Sequence, residues 1–164
     1  MTVTRLNHAV LYVRDVAASV EFYRRALGLE VIAEVPGGRA AFLRAAGSGN
    51  HHDLGLFGVG PSAPRPSRGA TGLYHLAWEV ATIEDLAALR RTLAALGALV
   101  GQSDHGASKS LYAVDPDGNE LEVMWAVPRE AWGELGRSAP VAPLDLDAEL
   151  ARWGGAQAPV RSSS

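Results

Sequence analysis

Apolar and polar positions follow two periods in turn along this chain. Leu6-Asn7-His8-Ala9-Val10-Leu11-Tyr12-Val13 has the bulky and β-branched residues of a strand and runs into Arg14-Asp15, a turn. From there the period lengthens. Val16, Val20, Phe22, Tyr23 and Leu27 recur at roughly helical spacing, and Gly28 stands where a left-handed cap closes a helix. Three short strand-like runs follow, near Glu30–Val35, Ala40–Arg44 and Asp53–Val59, separated by Pro36-Gly37-Gly38 and by Gly47-Ser48-Gly49-Asn50. The predicted order is β-α-β-β-β.

Gly60–Gly72 is rich in Pro, Gly and Ser and reads as a linker. After it Leu73-Tyr74-His75-Leu76-Ala77-Trp78-Glu79-Val80 repeats the first strand, and a helix over Ile83–Leu96 stops at Gly97. Strands near Ala98–Gln102, Ser110–Val114 and Leu121–Ala126 complete a second β-α-β-β-β set. His8 and His75 are 67 positions apart, whereas Leu27-Gly28 precedes Leu96-Gly97, and Gly49-Asn50 precedes Gly118-Asn119, by 69. One register with a two-residue insertion marks an internal duplication. Neither half has enough residues to enclose a core alone. The expected fold is therefore α+β, two β-α-β-β-β modules paired about a pseudo-two-fold axis, with mixed sheets curled around a metal-binding cleft. Residues 1–128 then form one domain, with module one about 4–60 and module two about 73–128. In the extension 129–164, Trp132, Leu144, Leu146, Leu150 and Trp153 predict a helix or two docked on the core or on a partner subunit, and Ala156–Ser164 a disordered end.

Composition narrows the chemistry. The 164 residues include 15 Lys+Arg and 18 Asp+Glu, a formal charge of −3, with no basic run of the kind a nucleic acid requires. The absence of cysteine excludes disulfides, thiolate nucleophiles, Cys-ligated zinc and iron–sulfur clusters, so any metal rests on His and carboxylate. Met1–Asp15 carries neither a signal-peptide pattern nor a membrane span, and the expected location is cytoplasmic, with no membrane partner. His8 and His75 fall on equivalent first strands of the two halves and Glu122 on the last strand of the second. The repeat symmetry predicts that these strands meet at the cleft. Two imidazoles and a carboxylate would then hold a divalent ion with about three positions left open.

At these residues the chain resembles the vicinal oxygen chelate superfamily, which includes glyoxalases, fosfomycin-resistance thiol transferases, epimerases, bleomycin-binding proteins and extradiol ring-cleavage dioxygenases. The resemblance covers about Thr4–Pro128 and rests on Asn7-His8, Ser19-x-x-Phe22-Tyr23-x-x-x-Leu27-Gly28, His75 and Asp115-Pro116-Asp117-Gly118-Asn119-x-x-Glu122. It implies that His8, His75 and Glu122 are the metal ligands. Three features are similar to the small catechol 2,3-dioxygenase group: His51-His52-Asp53-Leu54-Gly55-Leu56-Phe57, Tyr112 ten residues before Glu122, and the paired segments Asp104–Tyr112 and Trp125–Trp132. The resemblance makes His52 the acid–base residue and Tyr112 the partner of a substrate oxygen, stabilising an oxyanion with help from His105. It implies extradiol cleavage of a catechol-type diol by dioxygen at Fe(II), with Mn(II) or another divalent ion as the alternative metal, in a homodimer.

Rival readings attach to particular residues. Repeat alignment equates Asp53, not His52, with Glu122, and adjacent strand residues face opposite ways, so one of the two faces the metal unless a bulge intervenes. An inward Asp53 would supply a glyoxalase-like fourth ligand; the His-His-x pattern favours His52. Non-redox isomerase, epimerase or thiol-transferase chemistry is the first alternative, although Val10 stands two after His8, where the fosfomycin-resistance branch carries a hydroxyl residue. A binding protein of the bleomycin-resistance type is the second, and such proteins generally lack the triad. Lys109 and Arg129 read as solvated charges, and Ala126-Val127-Pro128 departs from the usual Asp-Arg-Pro.

Overall fold

The computed structural model describes residues 2–67 and 69–155; Ala156–Ser164, the expected disordered end, lie outside the described residues. The chain forms two compact units, one of residues 1–70 with the turn 115–118 and the other of residues 71–114 and 119–164. Each contains one four-stranded mixed sheet and a helix from its β-α-β-β-β repeat.

In the first unit β1 (Ala9–Val13) pairs in parallel with β4 (Leu54–Gly58), and β3 (Ala40–Arg44) joins β4 antiparallel to β2 (Glu30–Val35), giving the order β1-β4-β3-β2. The helix α1 (Val16–Leu27) begins where the Asp15 carboxylate accepts from Ala18 N at 3.1 Å and ends at Gly28 with φ 68°. Its buried residues Val16, Ser19, Tyr23 and Ala26 recur every three or four positions, which presents one stripe to β3 and β4. Leu11, Val13, Leu43, Leu54 and Leu56 fill the space beneath it. The turn 115–118 closes this unit: Arg14 N donates to Asp117 Oδ2 at 2.8 Å, and the buried Tyr23 hydroxyl to Asp115 Oδ2 at 3.2 Å.

The second unit repeats the scheme with β5 (His75–Glu79), α2 (Ile83–Ala95), β6 (Leu99–Asp104), β7 (Ser108–Val114) and β8 (Glu120–Ala126) in the order β5-β8-β7-β6. Thr82 caps α2 by accepting from Asp85 N at 3.1 Å, and Gly97, φ 66°, follows its end. The β2–β3 and β6–β7 ladders each shift register near the start of the first strand, between Val31 and Ala33 and between Leu99 and Gly101. The duplication thus extends to a bulge that no residue pattern announced.

Within the second unit the extension packs on its own sheet. Two short 3-10 turns, Arg129–Ala131 and Gly133–Arg137, lead to α3 (Leu146–Trp153). The Trp153 ring lies 6.0 Å from that of the fully buried Trp125, and Leu144 and Leu146 are buried. Trp132 Nε1 donates to Val127 O at 2.6 Å, so backbone does the docking where the Asp-Arg pair is missing. No helix among the described residues is long and apolar enough to cross a membrane.

Two expected strands begin later than their apolar runs. His8 immediately precedes β1, and His51 to Asp53 precede β4, because the parallel ladder starts only where Ala9 meets Leu54. His8 and His52 therefore sit on the approach to strands, not within them. Lys109 also departs from expectation: its side chain is 5% exposed and paired with Asp104 Oδ1 at 2.6 Å and Glu149 Oε2 at 3.5 Å. Glu149 comes from α3, and the tail removes the lysine from solvent.

Candidate active site

Four of the six residues singled out from the sequence lie in the second unit. His75 opens β5 and Glu122 is the third residue of β8, its parallel neighbour, whose register sets Ala77 against Glu122. The imidazole crosses that diagonal, and its Nε2 lies 3.1 Å from Glu122 Oε2. Both are partly shielded, with side chains 26% and 13% exposed. Two ligands at right angles on bonds of about 2.1 Å to one ion stand roughly 3.0 Å apart. The pair therefore fits neighbouring ligand positions on a divalent ion, and an imidazole with a carboxylate suits iron, manganese, cobalt, nickel or zinc. The other ring nitrogen, Nδ1, is buried without a protein partner, which leaves Nε2 as the atom that fixes the ring.

Tyr112 stands directly opposite Glu122 in the β7–β8 ladder, close enough for the carboxylate to act on its phenol. Its ring centroid is 6.1 Å from that of His75. Burial first, and then the Glu122 carboxylate, push the Tyr112 phenol above its ordinary value, so it keeps its proton at neutral pH. His105, on the β6–β7 turn, places Nε2 2.7 Å from the Tyr112 hydroxyl and Nδ1 2.9 Å from Pro140 O. His75, Glu122, Tyr112 and His105 thus form one continuous polar set.

His8 and His52 belong to the first unit. Their ring centroids are 4.5 Å apart, His8 Nδ1 is 2.9 Å from Asn7 Oδ1, and the His52 ring meets Phe42 edge-on at 5.0 Å. His51 Nδ1 and His52 Nδ1 are 3.1 Å apart, which occupies one ring nitrogen of His52 and leaves Nε2 for other work. Desolvation first, and then His8 and His51, hold His52 below the ordinary imidazole value against the opposing pull of Asp53. A neutral ring can accept a proton.

Asp53 has a different task. Its Oδ2 accepts from Ala45 N at 2.8 Å, and its Oδ1 from Ser48 Oγ at 2.8 Å and Asn50 Nδ2 at 2.7 Å. Both oxygens are committed to the loop before β4, which disfavours Asp53 as a fourth metal ligand. Burial alone would raise its pKa; the bonds from Ala45, Asn50 and Ser48 outweigh it and hold the carboxyl below its usual range. The sequence signal for this role was the Ser48-Gly49-Asn50 turn just upstream, since such polar turn residues bond nearby carboxylates.

Among the described residues, no group of three or more His, Asp or Glu side chains is gathered closely enough to hold a metal; His75 lies with Glu122, and His8 with His52. A cavity of about 240 Å³ lies in the second unit between the β6–β7 turn and the tail. None of the candidate residues lines it, and its two cations, Lys109 and Arg152, are balanced by Asp104 and Glu149.

A family model described as the Glyoxalase/Bleomycin resistance protein/Dioxygenase superfamily matches residues 5–123. A catechol-2,3-dioxygenase of Bacillus subtilis (strain 168) is 34% identical over 130 residues, which are 79% of this chain and 44% of that protein. A biphenyl-2,3-diol 1,2-dioxygenase 3 of Rhodococcus globerulus is 35% identical over 137 residues, 80% of this chain and 70% of that one. The chain thus spans less than half the length of the Bacillus protein. A glyoxylase/bleomycin resistance protein/dioxygenase domain from Frankia sp. EAN1pec shares the fold at a TM-score of 0.63 and 24% identity, covering 77% of this chain and all of that one.

Proposed function

We propose the following for this chain, which belongs to the glyoxalase/bleomycin resistance protein/dioxygenase superfamily: it cleaves a catechol-type aromatic diol beside its hydroxyls, using dioxygen and a bound divalent metal, Fe(II). The observation that carries the reading is the His75–Glu122 pair with Tyr112 and His105 beside it, in a chain about a third identical to two diol dioxygenases. Its ligands are His75, Glu122 and, as the repeat implies, His8. The ion would supply Lewis acidity toward the diol oxygens and, as iron, a route for electrons between ring and dioxygen.

The protein's own groups have separable tasks. His52 accepts a hydroxyl proton at Nε2, its Nδ1 being turned to His51, and returns that proton as the ring opens. Tyr112 meets a substrate oxygen with its proton in place, and His105 holds the phenol. The edge of Phe42 packs on His52 and restricts the ring's rotation. A homodimer in the cytoplasm is part of the same reading.

The test is anaerobic loading with Fe(II), then mixing with a panel of catechols in air while oxygen uptake and the yellow ring-opened product are recorded. Metal-dependent uptake with colour supports the reading. Tight metal binding without uptake points to the non-redox chemistry of the superfamily, which the His75–Glu122 pair serves equally well. Failure to bind any divalent ion points to a small-molecule binder. Substituting His8, His75 or Glu122 by Ala should abolish stoichiometric metal binding, measured by metal analysis after dialysis; metal retained in all three variants overturns the ligand set.

A further inference from the structure

A line of contacts runs from the C-terminal segment into the candidate site, entirely within the second unit. Asp104 N donates to Ala142 O at 2.8 Å and Ala142 N to Asp104 O at 3.0 Å, and Gln102 Nε2 donates to Leu144 O at 2.8 Å. The tail is thereby tied along the end of β6. The turn between β6 and β7 is pressed against it: a Cβ on Gly106 would stand 2.8 Å from Leu135 Cδ2 and 3.2 Å from Pro140 Cγ. Inside the turn Asp104 Oδ1 accepts from Gly106 N at 2.7 Å and from Lys109 Nζ at 2.6 Å. His105 rides on this fixed turn.

A carbonyl oxygen only accepts hydrogen bonds, so the His105 nitrogen facing Pro140 O carries the hydrogen. In the neutral ring Nε2 is then a lone pair aimed at the Tyr112 hydroxyl. That hydroxyl has one proton and two acceptors in reach, His105 Nε2 and the Glu122 carboxylate. We infer that the C-terminal segment is a positioning part of the site: the Pro140 carbonyl holds His105 as the Nδ1–H tautomer, so that Nε2 is presented to the Tyr112 hydroxyl as a hydrogen-bond acceptor. The tautomer follows from local contacts, and its place in an active site rests on the function proposed above.

The experiment labels the histidines of the full chain with nitrogen-15 and records long-range proton–nitrogen correlations at neutral pH, metal-free and with diamagnetic Zn(II). His105 is identified by its loss in His105→Gln. The expected result is an Nδ1–H ring at His105 in both samples. Ala142→Pro removes the donor to Asp104 O at an exposed position, and Gln102→Leu deletes the second tie. Either variant should lower the Nδ1–H fraction by at least about twofold toward the Nε2–H form, with the far-UV circular dichroism of the parent; if one fails to fold, the other is read. A parent ring that is Nε2–H or doubly protonated overturns the inference, as does an Nδ1–H ring unmoved in the folded variants. Oxygen uptake with catechols is scored separately. Its absence removes the functional reading and leaves the tautomer standing, whereas uptake with the wrong tautomer removes only this inference.

Discussion

His52 and Asp53 are neighbours with opposite duties. His52 keeps one ring nitrogen uncommitted and is held neutral by burial and by two other imidazoles, while every oxygen of Asp53 is used by the loop. His52→Gln should therefore retain metal and lose about 10²–10⁴ in turnover, read as oxygen uptake at saturating substrate. Asp53→Asn should leave metal binding intact and destabilise the protein by about 1–3 kcal/mol, read from urea unfolding. The sign of its pH dependence follows from the depressed carboxyl. The stabilisation is fully present above the ordinary carboxylate value and is lost as pH falls through the lower folded value, so the parent weakens in acid more than the Asn variant does. Such duties were unevenly legible. His75 and Glu122 could be named from their places in the repeat because neighbouring strands bring regular positions together, and Tyr112 and His105 from the resemblance of their segments to the dioxygenase group. Lys109 could not, since its partner Glu149 reaches it only through the docking of α3.

Among the secondary elements, glycine punctuation made the helices readable. Gly28 and Gly97 have φ of 68° and 66°, and α1 and α2 end at them within a residue or two of the expected places. Gly28 has nothing within 4 Å of where a Cβ would lie, so Gly28→Ala carries only the conformational cost of a left-handed alanine, about 1 kcal/mol by urea unfolding. Strand starts were less readable than helix ends. An apolar run shows that a strand can form, but its first residue is decided by the partner, as β1 shows in beginning at Ala9 opposite Leu54. The bulges in β2 and β6 were invisible for the same reason, because a register shift is a property of two strands and not of one.

For the molecule as a whole, the duplication was legible and the membership of the turn 115–118 was not. That turn lies in the second repeat by sequence and in the first unit by contact, where Asp115 and Asp117 meet Tyr23 and Arg14. Burial first, and then Asp115, drive the Tyr23 phenol far above its ordinary range, so it serves as a permanent donor. Tyr23→Phe leaves Asp115 Oδ2 without that donor and should cost about 1–2 kcal/mol in urea unfolding.

The same discontinuity sets an order of events on the ribosome. When residue 70 has been polymerised, all four strands and the helix of the first sheet exist, yet two of its closing hydrogen bonds still await residues 115 and 117. At about 5–20 residues per second that interval lasts roughly 2–10 s. For those seconds the Tyr23 hydroxyl of the nascent first half has no Asp115 carboxylate to donate to, and the first unit is completed only as the second half is translated.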